Sequence, residues 1–256
     1  MRSQNTATPE ELIPASKGHK VAVTAAALAI FLVLAWLLLS AVTNPRTFSR
    51  QHSCNNNLRT IGLALTQYHD TIGCFPPATI NDASGKPMHS WRVLLLPYLD
   101  QKALYDRYRF DEPWDGPNNR KLHNEVMKCY CCPADGGSRS STQTSYLAVQ
   151  GGHTIWLGDY TRMADLLDGS SNTVMLVETA NSGIHWMEPR DLRADELPMA
   201  IHPGQSQGIS SQHPGGAHVL FADCHVQFVH NGILPEKLKR SFAFKRSLRS
   251  GSGGTP

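Results

Sequence analysis

The feature that most constrains this chain is an uninterrupted apolar segment close to its N-terminus. Residues 21–42 contain no charged side chain and are polar only at Thr24 and Ser40. As an α-helix rising about 1.5 Å per residue, the segment covers about 33 Å, enough to cross a hydrocarbon core of roughly 30 Å. A cleaved secretory signal has a shorter apolar stretch and a small-residue cleavage site, which Leu39-Ser40-Ala41-Val42 matches poorly. We therefore predict a retained transmembrane helix over residues 21–42.

The orientation of this helix in the membrane is inferred from the length and the cysteine content of the chain that follows it. Basic residues flank both ends, with Arg2, Lys17 and Lys20 before the span and Arg46 and Arg50 after it, so charge alone does not orient it. Most of the 256 residues follow the span, and they include all six cysteines, which favour an oxidising compartment. We expect a single-pass protein of the cell membrane, with residues 1–20 as a flexible cytoplasmic tail and an extracytoplasmic head.

The predicted head, residues 43–232, opens with an amphipathic helix. Its apolar or weakly polar side chains recur at spacings of three and four, which place them on one helical face: Cys54, Leu58, Ile61, Leu65, Tyr68 and Ile72. Pro45 is expected to bend or interrupt the helix, and Gly73 to end it. Short helical turns at 90–99 and 101–108, then strands at 126–132, 145–149, 173–177 and 217–229, complete the pattern. A helix followed by strands predicts an α+β head.

The charge balance and the C-terminal segment bear on partners. A net charge of +3, from 24 basic and 21 acidic residues, is too small for a nucleic-acid-binding surface. Residues 233–256 form a basic C-terminal segment, in which 234–248 are predicted to be an amphipathic helix and 251–256 a frayed end. That helix is expected to close the domain, or alternatively to dock on an anionic surface.

The sequence lacks the common catalytic and metal-binding motifs. It contains no Gly-x-Ser-x-Gly, no phosphate-binding loop and no His-Glu-x-x-His. We therefore expect no enzymatic activity, no catalytic residue, no bound metal and no cofactor. The weak candidates for ligand binding are His213 and Asp223, each expected to hold its own loop by hydrogen bonds, and Trp186. An exposed Trp186 could stack on a sugar, but a lone tryptophan is more often a core residue.

A β-hairpin is predicted shortly before the C-terminal segment. With Asp223-Cys224 as a two-residue turn, Val219 opposes Phe228 on the core face. His218 and His225 then share the other face about 13 Å apart, too far for one metal ion.

All six cysteines are disulfide candidates, because disulfides are the expected state of cysteines in an exported head. They are Cys54, Cys74, Cys129, Cys131, Cys132 and Cys224. Cys224 stands at a turn position that favours glycine, and a disulfide would offset the resulting strain. We expect Cys224 to pair with Cys129 or Cys131, and Cys74 is the next choice.

Short motifs follow one another in order between residues 41 and 230. They include Cys54-Asn55-Asn56-Asn57-Leu58, Phe75-Pro76-Pro77, Ser90-Trp91-Arg92, Cys132-Pro133-Ala134-Asp135, Asp168-Gly169-Ser170-Ser171-Asn172-Thr173 and His213-Pro214-Gly215-Gly216. The series resembles a bacterial family of pilin-like envelope proteins, the domain of unknown function numbered 1559. The resemblance implies a pseudopilin-like fold, in which a long N-terminal helix lies on an antiparallel β-sheet head. It implies no established activity.

Two positions depart from the family pattern. The family's prepilin leader continues from glycine to Phe-Thr-Leu-Val-Glu, whereas Gly18 is followed by His19-Lys20, and Val23 stands in place of the glutamate. The late Asp-Gly of the family is Asp223-Cys224 here. The first departure argues against prepilin-type processing and pilus assembly.

The resulting prediction is a membrane-anchored, envelope-exposed, pilin-like protein with a structural or assembly role. Its expected partners are the membrane and envelope or secretion-system proteins. The alternative is an anchored solute- or glycan-binding module with loops around Gly151, Trp186 and His213. A third reading is an envelope hydrolase built from the late histidines and Asp223.

Overall fold

The computed structural model describes residues 17–135, 141–151, 154–156, 158, 160–198, 200–201 and 208–233. Most of the predicted tail and the basic C-terminal segment after residue 233 lie outside these ranges, as do the side chains of residues 17–20 and 39–46. The chain divides into two compact units between Arg46 and Thr47. Each unit is described by itself.

The first unit contains the apolar segment. The helix α1 (Lys17–Ile72) begins within the predicted tail. Its stretch Val21–Leu38 has a mean hydropathy of 2.7, and none of it is buried inside the protein. The length and composition of this stretch allow a membrane anchor, and an N-terminal signal sequence can meet the same criteria. Of the two effects predicted for Pro45, a bend or an interruption, the interruption is not found, because α1 is continuous through this position.

The second unit opens with the amphipathic part of α1. The predicted stripe is confirmed at its first four positions, Cys54, Leu58, Ile61 and Leu65, which are fully buried. Ile72, the last position, is 55% exposed. The helix ends where predicted, because Gly73 adopts a φ of 89° and its N–H donates to the carbonyl of His69 at 2.7 Å.

Seven strands and two further short helices are found in the described part of the head. They are β1 (Thr79–Asn81), β2 (Pro87–Ser90), α2 (Trp91–Leu94), α3 (Lys102–Tyr105), β3 (Tyr146–Gln150), β4 (Val174–Glu178), β5 (Leu192–Arg193), β6 (Gly216–Phe221) and β7 (Val226–His230). Strands β1 and β2 form a hairpin, and the other five form a sheet in the order β5-β3-β4-β6-β7. The sheet is mixed rather than wholly antiparallel, because the chain crosses over after β4 and β5 joins the free edge of β3 in parallel.

Apolar side chains cover both faces of this sheet. One cluster joins the α1 stripe to Leu220 of β6, and the other joins Val149, Val177 and Val219 to Ile209. Every residue of β4 is therefore buried. A polar side chain placed on β4 must find its partners inside the protein.

The strand predicted at 126–132 is wrong. The chain forms a 3-10 turn at Lys128–Tyr130, because Met127 and Tyr130, three residues apart, both enter the core. The Tyr130 hydroxyl donates to the carbonyl of Arg92 at 2.9 Å, which fixes the turn against α2. The strands predicted at 145–149 and 173–177 are confirmed to within one residue as β3 and β4.

Candidate functional site

Buried polar side chains gather at one end of the five-stranded sheet. Glu178 is the last residue of β4, and His218 lies on the neighbouring β6. His213 precedes β6, and Cys132 closely follows the 3-10 turn. Each of the four is at most 3% exposed. Together with Cys54 of α1, these residues form what we call the Glu178 centre.

A disulfide between Cys54 and Cys132 forms one wall of this centre. The two Cα atoms are 5.3 Å apart and the sequence separation is 78 residues. Both cysteines are fully buried. The bond fastens the start of the head helix to the loop after the 3-10 turn, and it confirms that this head contains a disulfide.

The carboxylate of Glu178 is held by one oxygen only. Its Oε2 accepts the backbone N–H of His218 at 3.0 Å and lies 2.9 Å from Nδ1 of the same residue. Its Oε1 forms no hydrogen bond and lies 3.4 Å from Nε2 of His213. Burial raises the pKa of Glu178, but His213 and His218 outweigh burial and hold that pKa below its ordinary value. The centre therefore contains a buried carboxylate that favours the ionised form.

His213 faces two groups through a single ring nitrogen. Its Nε2 is 3.3 Å from Sγ of Cys132 as well as 3.4 Å from Oε1 of Glu178. A catalytic cysteine–histidine–acid relay uses opposite ring nitrogens for the thiol and the carboxylate. Here the Cys132 sulfur and the Glu178 carboxylate oxygen instead lie near the same ring nitrogen of His213.

A second carboxylate lies at the edge of the centre. Asp135 Oδ2 accepts the hydroxyl of Ser145, whose oxygen also accepts the N–H of Cys132 at 2.9 Å. Asp135 Oδ1 is buried without a hydrogen bond. Burial raises the pKa of Asp135, and the nearby charge of Glu178 adds to the rise against the lowering effect of the Ser145 hydroxyl.

Another buried carboxylate, Asp191, lies before β5 and is fully surrounded by donors. Its oxygens accept two N–H groups of the Arg92 guanidinium, the indole N–H of Trp91 at 3.1 Å and the backbone N–H of Ala148 at 2.8 Å. The side chains of Arg92 and Asp191 are both 0% exposed. We call these four residues the Asp191 centre. Burial raises the pKa of Asp191 in spite of the guanidinium beside it.

The three predicted ligand-binding candidates are not brought together. His213 and Asp223 lie at opposite ends of β6, and Asp223 Oδ1 accepts the N–H of His225 at 3.1 Å within its own turn. Trp186 is 1% exposed, and its indole N–H donates to the carbonyl of Glu125 at 2.9 Å. Trp186 is therefore a core residue, and the weak candidate role of an exposed ring that stacks on a sugar is wrong. Asp223 holds its turn as predicted, whereas His213 reaches into the core.

The hairpin register differs by one residue from the prediction. The loop contains three residues, so His218 pairs with Phe228 and Val219 pairs with Gln227. A one-residue slip exchanges the two faces of a strand. His225 consequently lies on the same face as Phe221, and its ring stacks on Phe221 with centroids 4.3 Å apart. His218 faces Glu178 of the neighbouring β4.

The predicted disulfide of Cys224 is contradicted by the structure, in which its thiol is free. Its φ of 65° shows the expected left-handed backbone. The sulfur lies 3.4 Å from Thr66 Oγ1 on α1, and it is close enough to Gly62 that a Cβ there would lie 3.3 Å away. The thiol of Cys131, a predicted partner, instead donates to the carbonyl of Gln143 at 3.2 Å.

The other predicted disulfide partners are also free thiols. Cys74, Cys129 and Cys131 are unpaired with one another. Burial raises the pKa of Cys129 to about 12 and that of Cys131 to about 11. These two thiols are therefore held protonated and unreactive at neutral pH.

An open groove lies on the head beside the Gly151 loop. It has a volume of about 450 Å³ and is lined by Gln150, Gly151, Trp156, Arg193 and Asp195, among others. Of the loops in the alternative prediction, only the Gly151 loop lines this groove. Trp186 and His213 do not.

The Glu178 centre was not predicted from the sequence, because its residues are far apart in the chain. No metal ligand was expected from the sequence, yet the donor atoms of two cysteines, a glutamate and a histidine lie within 4.8 Å of one another. Cys132 and His213 lie in quoted motifs, but no spacing rule links them to each other or to Glu178. The single available signal was an acidic residue ending the apolar run of β4, since such a residue must be paired when buried.

These features define a class: an α+β protein with an apolar N-terminal helix and a disulfide-bounded polar centre at one end of a mixed sheet. The chain belongs to the family described as a protein of unknown function, DUF1559, whose model matches residues 43–155 and 180–236. Cys54, Cys132 and His213 lie inside the matched ranges, and Glu178 lies in the segment between them. No curated protein and no solved structure matches the chain.

Proposed function

We propose that this protein is a single-pass, membrane-anchored component of the cell envelope with a pilin-like structural or assembly role. Its N-terminus is cytoplasmic and its head extracytoplasmic. The observation that carries the proposal is the fully buried Cys54–Cys132 disulfide, whose Cys54 lies on the same helix that contains the apolar segment. Disulfides persist in compartments outside the cytoplasm, and the apolar segment is long enough to hold the chain in a bilayer.

Exposed apolar side chains on the head support a role in binding other proteins. Tyr160 and Leu167 are 79% and 76% exposed. Their segment is joined to the end of α1, where Nε2 of His69 accepts the N–H of Met163 at 3.1 Å. Ile72, at that same end, is 55% exposed. Large apolar side chains in solvent mark interaction surfaces when they cluster.

The topology is tested by proteolysis of the full chain in native membranes. External protease, added to cells whose outer layer has been permeabilised, should remove the head and leave a protected fragment that contains residues 21–42. Intact-mass measurement of extracted protein should show that the apolar segment is retained. A protected head, or a mature chain that begins after residue 42, would contradict the proposed anchor.

The assembly role is tested by photo-crosslinking in the same membranes. A photoreactive residue at Tyr160 or Leu167 should give a defined adduct with another envelope protein. The matched controls are Arg59 and Gln67, exposed polar positions on α1. The absence of adducts at Tyr160 and Leu167, or equal adducts at all four positions, would argue against an interaction surface there.

The groove beside Gly151 supports one alternative, a solute- or glycan-binding module. Arg193 and Asp195 form an ion pair at its rim, with 2.9 Å between the guanidinium and the carboxylate. A saccharide array probed with the full chain should give hits that weaken on Arg193→Ala. Arg190→Ala, which alters an arginine paired with Glu188, is the control. No hit, or hits unaffected by Arg193→Ala, would remove this alternative.

A further inference from the structure

Four potential metal ligands meet in the Glu178 centre. One donor atom from each of Cys54, Cys132, Glu178 and His213 lies within 4.8 Å of the other three, and all four residues are buried. Two sulfurs, one imidazole nitrogen and one carboxylate oxygen form a donor set that zinc binds in proteins. In the structure the two sulfurs are bonded to each other, so they are not ligands in the oxidised state.

Two distances between these donors match the edges of a tetrahedral site. Zinc lies about 2.3 Å from sulfur and about 2.0 Å from nitrogen or oxygen, which places neighbouring donors roughly 3.3–3.8 Å apart. Nε2 of His213 is 3.3 Å from Sγ of Cys132 and 3.4 Å from Oε1 of Glu178. The two sulfurs, which are bonded to each other, must move apart to become separate ligands, and reduction of the disulfide permits this.

An unpartnered oxygen points to the same site. Glu178 is 1% exposed, and its Oε1 has no hydrogen bond, which is costly for a buried acceptor. Its other oxygen is fixed by two N–H groups of His218. Metal-binding carboxylates are commonly oriented in this way by hydrogen bonds from a second residue. Oε1 is thereby left aimed at His213 and the two sulfurs.

We propose that the reduced head binds a zinc ion between Cys54, Cys132, Glu178 and His213, and that the disulfide excludes the ion. A dithiol reductant transfers two electrons to the disulfide, which yields two cysteine thiols and the reductant's own disulfide. Each thiol releases a proton to solvent as its sulfur binds the ion. With two thiolates, one carboxylate and a neutral imidazole, the occupied site has a net charge of −1. Thiolate ligands favour zinc over calcium or magnesium.

The test uses the full chain in detergent, with Zn²⁺ and Co²⁺ as probes. Protein reduced by a phosphine and desalted without oxygen should bind one zinc per chain, and oxidised protein should bind none. Co²⁺ in the reduced protein should give the thiolate charge-transfer absorbance and the intense visible bands of a tetrahedral site. Circular dichroism, recorded with and without zinc, reports whether the reduced chain is folded.

Variants separate this site from the other cysteines. Cys132→Ser and His213→Ala should abolish the cobalt spectrum. Glu178→Gln should weaken zinc binding at least about 10-fold, which is the smallest loss typical when a hydrogen-bond partner of a metal ligand is removed. Cys129→Ser and Cys131→Ser are the matched controls, because both remove a neighbouring thiol and should leave binding unchanged. In the reduced Cys131→Ser variant, zinc should still raise the melting temperature.

Each remaining outcome overturns the proposal. A reduced chain that is folded but takes up no zinc lacks the site. A reduced chain that is unfolded and is not refolded by zinc lacks it as well. Equal binding by oxidised protein, or unchanged binding in His213→Ala and Glu178→Gln, would place the ion elsewhere.

Discussion

The Asp191 centre and the Glu178 centre each contain a buried carboxylate, but the two carboxylates differ in how many of their oxygens accept hydrogen bonds. Asp191 receives N–H donors from a guanidinium, an indole and a backbone amide. Glu178 receives donors at one oxygen, and its other oxygen faces a histidine nitrogen and a disulfide without a hydrogen bond. Arg92 cancels the charge of Asp191 directly, whereas Glu178 has two histidines as its neighbours.

This difference gives Asp191 a structural role and leaves Glu178 able to bind a ligand. A carboxylate with every acceptor position filled holds chain segments together, and it has no position left for a ligand. A carboxylate with one open oxygen next to a histidine and two sulfurs retains a free coordination position. The contrast can be tested by removing each carboxylate in turn and comparing stability and its dependence on pH.

The largest effect is expected for Asp191→Ala. This change leaves the Arg92 guanidinium buried without its partner, and removal of one member of a buried ion pair typically costs about 3–5 kcal/mol. Equilibrium unfolding by urea should therefore show a strongly reduced midpoint. Asp195→Ala, which removes an exposed carboxylate from its pair with Arg193, should change the midpoint little. Similar midpoints for the two variants would show that the Asp191 centre does not stabilise the head.

A smaller, pH-dependent loss is expected for Glu178→Gln. Replacement of the charged acceptor of two His218 donors should lower stability by about 1–3 kcal/mol at neutral pH. The pKa of Glu178 is lowered in the folded state, so its contribution is complete above its unfolded pKa of about 4.3. That contribution is lost as the pH falls through the lower folded pKa.

The difference between wild type and Glu178→Gln should therefore shrink on acidification below about pH 4. Unfolding curves recorded across this range test the sign. Glu125→Gln is the control, because Glu125 pairs with Arg107 at the surface. A difference that grows toward low pH would show that Glu178 is protonated in the folded head.

The smallest effect, and one of opposite sign, is expected for Asp135→Asn. The asparagine oxygen can still accept the Ser145 hydroxyl, and the change removes a charge whose pKa is raised by burial. A raised pKa means that the stabilising contribution of Asp135 is complete below its unfolded pKa and is lost as the pH rises through the folded one. The variant should match wild type in acid and exceed it by less than about 1 kcal/mol at pH 7. A variant less stable than wild type at pH 7 would contradict this.

Features that depend on residues close together in the chain could be predicted from the sequence, and features that depend on distant residues could not. The stripe of α1 was predictable because Cys54, Leu58, Ile61 and Leu65 are neighbours along one helix. The register of the β6–β7 hairpin was missed because it depends on whether the turn holds two or three residues, and Cys224 accepts the left-handed backbone of the longer turn.

The partners of the buried groups were beyond prediction for a related reason. Cys132 and His213 are 81 residues apart, and only the order of strands in the sheet brings them together. Cys54 and Cys132 each stand in one of the family motifs, unlike the other four cysteines, but no local pattern pairs them with each other. The same holds for Asp191, which is 99 residues from Arg92.

The position of the disulfide also determines how the head responds to tension. For a head held through α1 and pulled at a point after Cys132, force enters at Cys54 and crosses the sulfur–sulfur bond. The residues in between are bypassed and bear no load. At about 3.4 Å per extended residue, the 78-residue separation withholds roughly 260 Å of contour length from stretching. Under such a force, the chain between Cys54 and Cys132 cannot extend while the disulfide is intact. Reduction of the disulfide by two electrons removes this restriction.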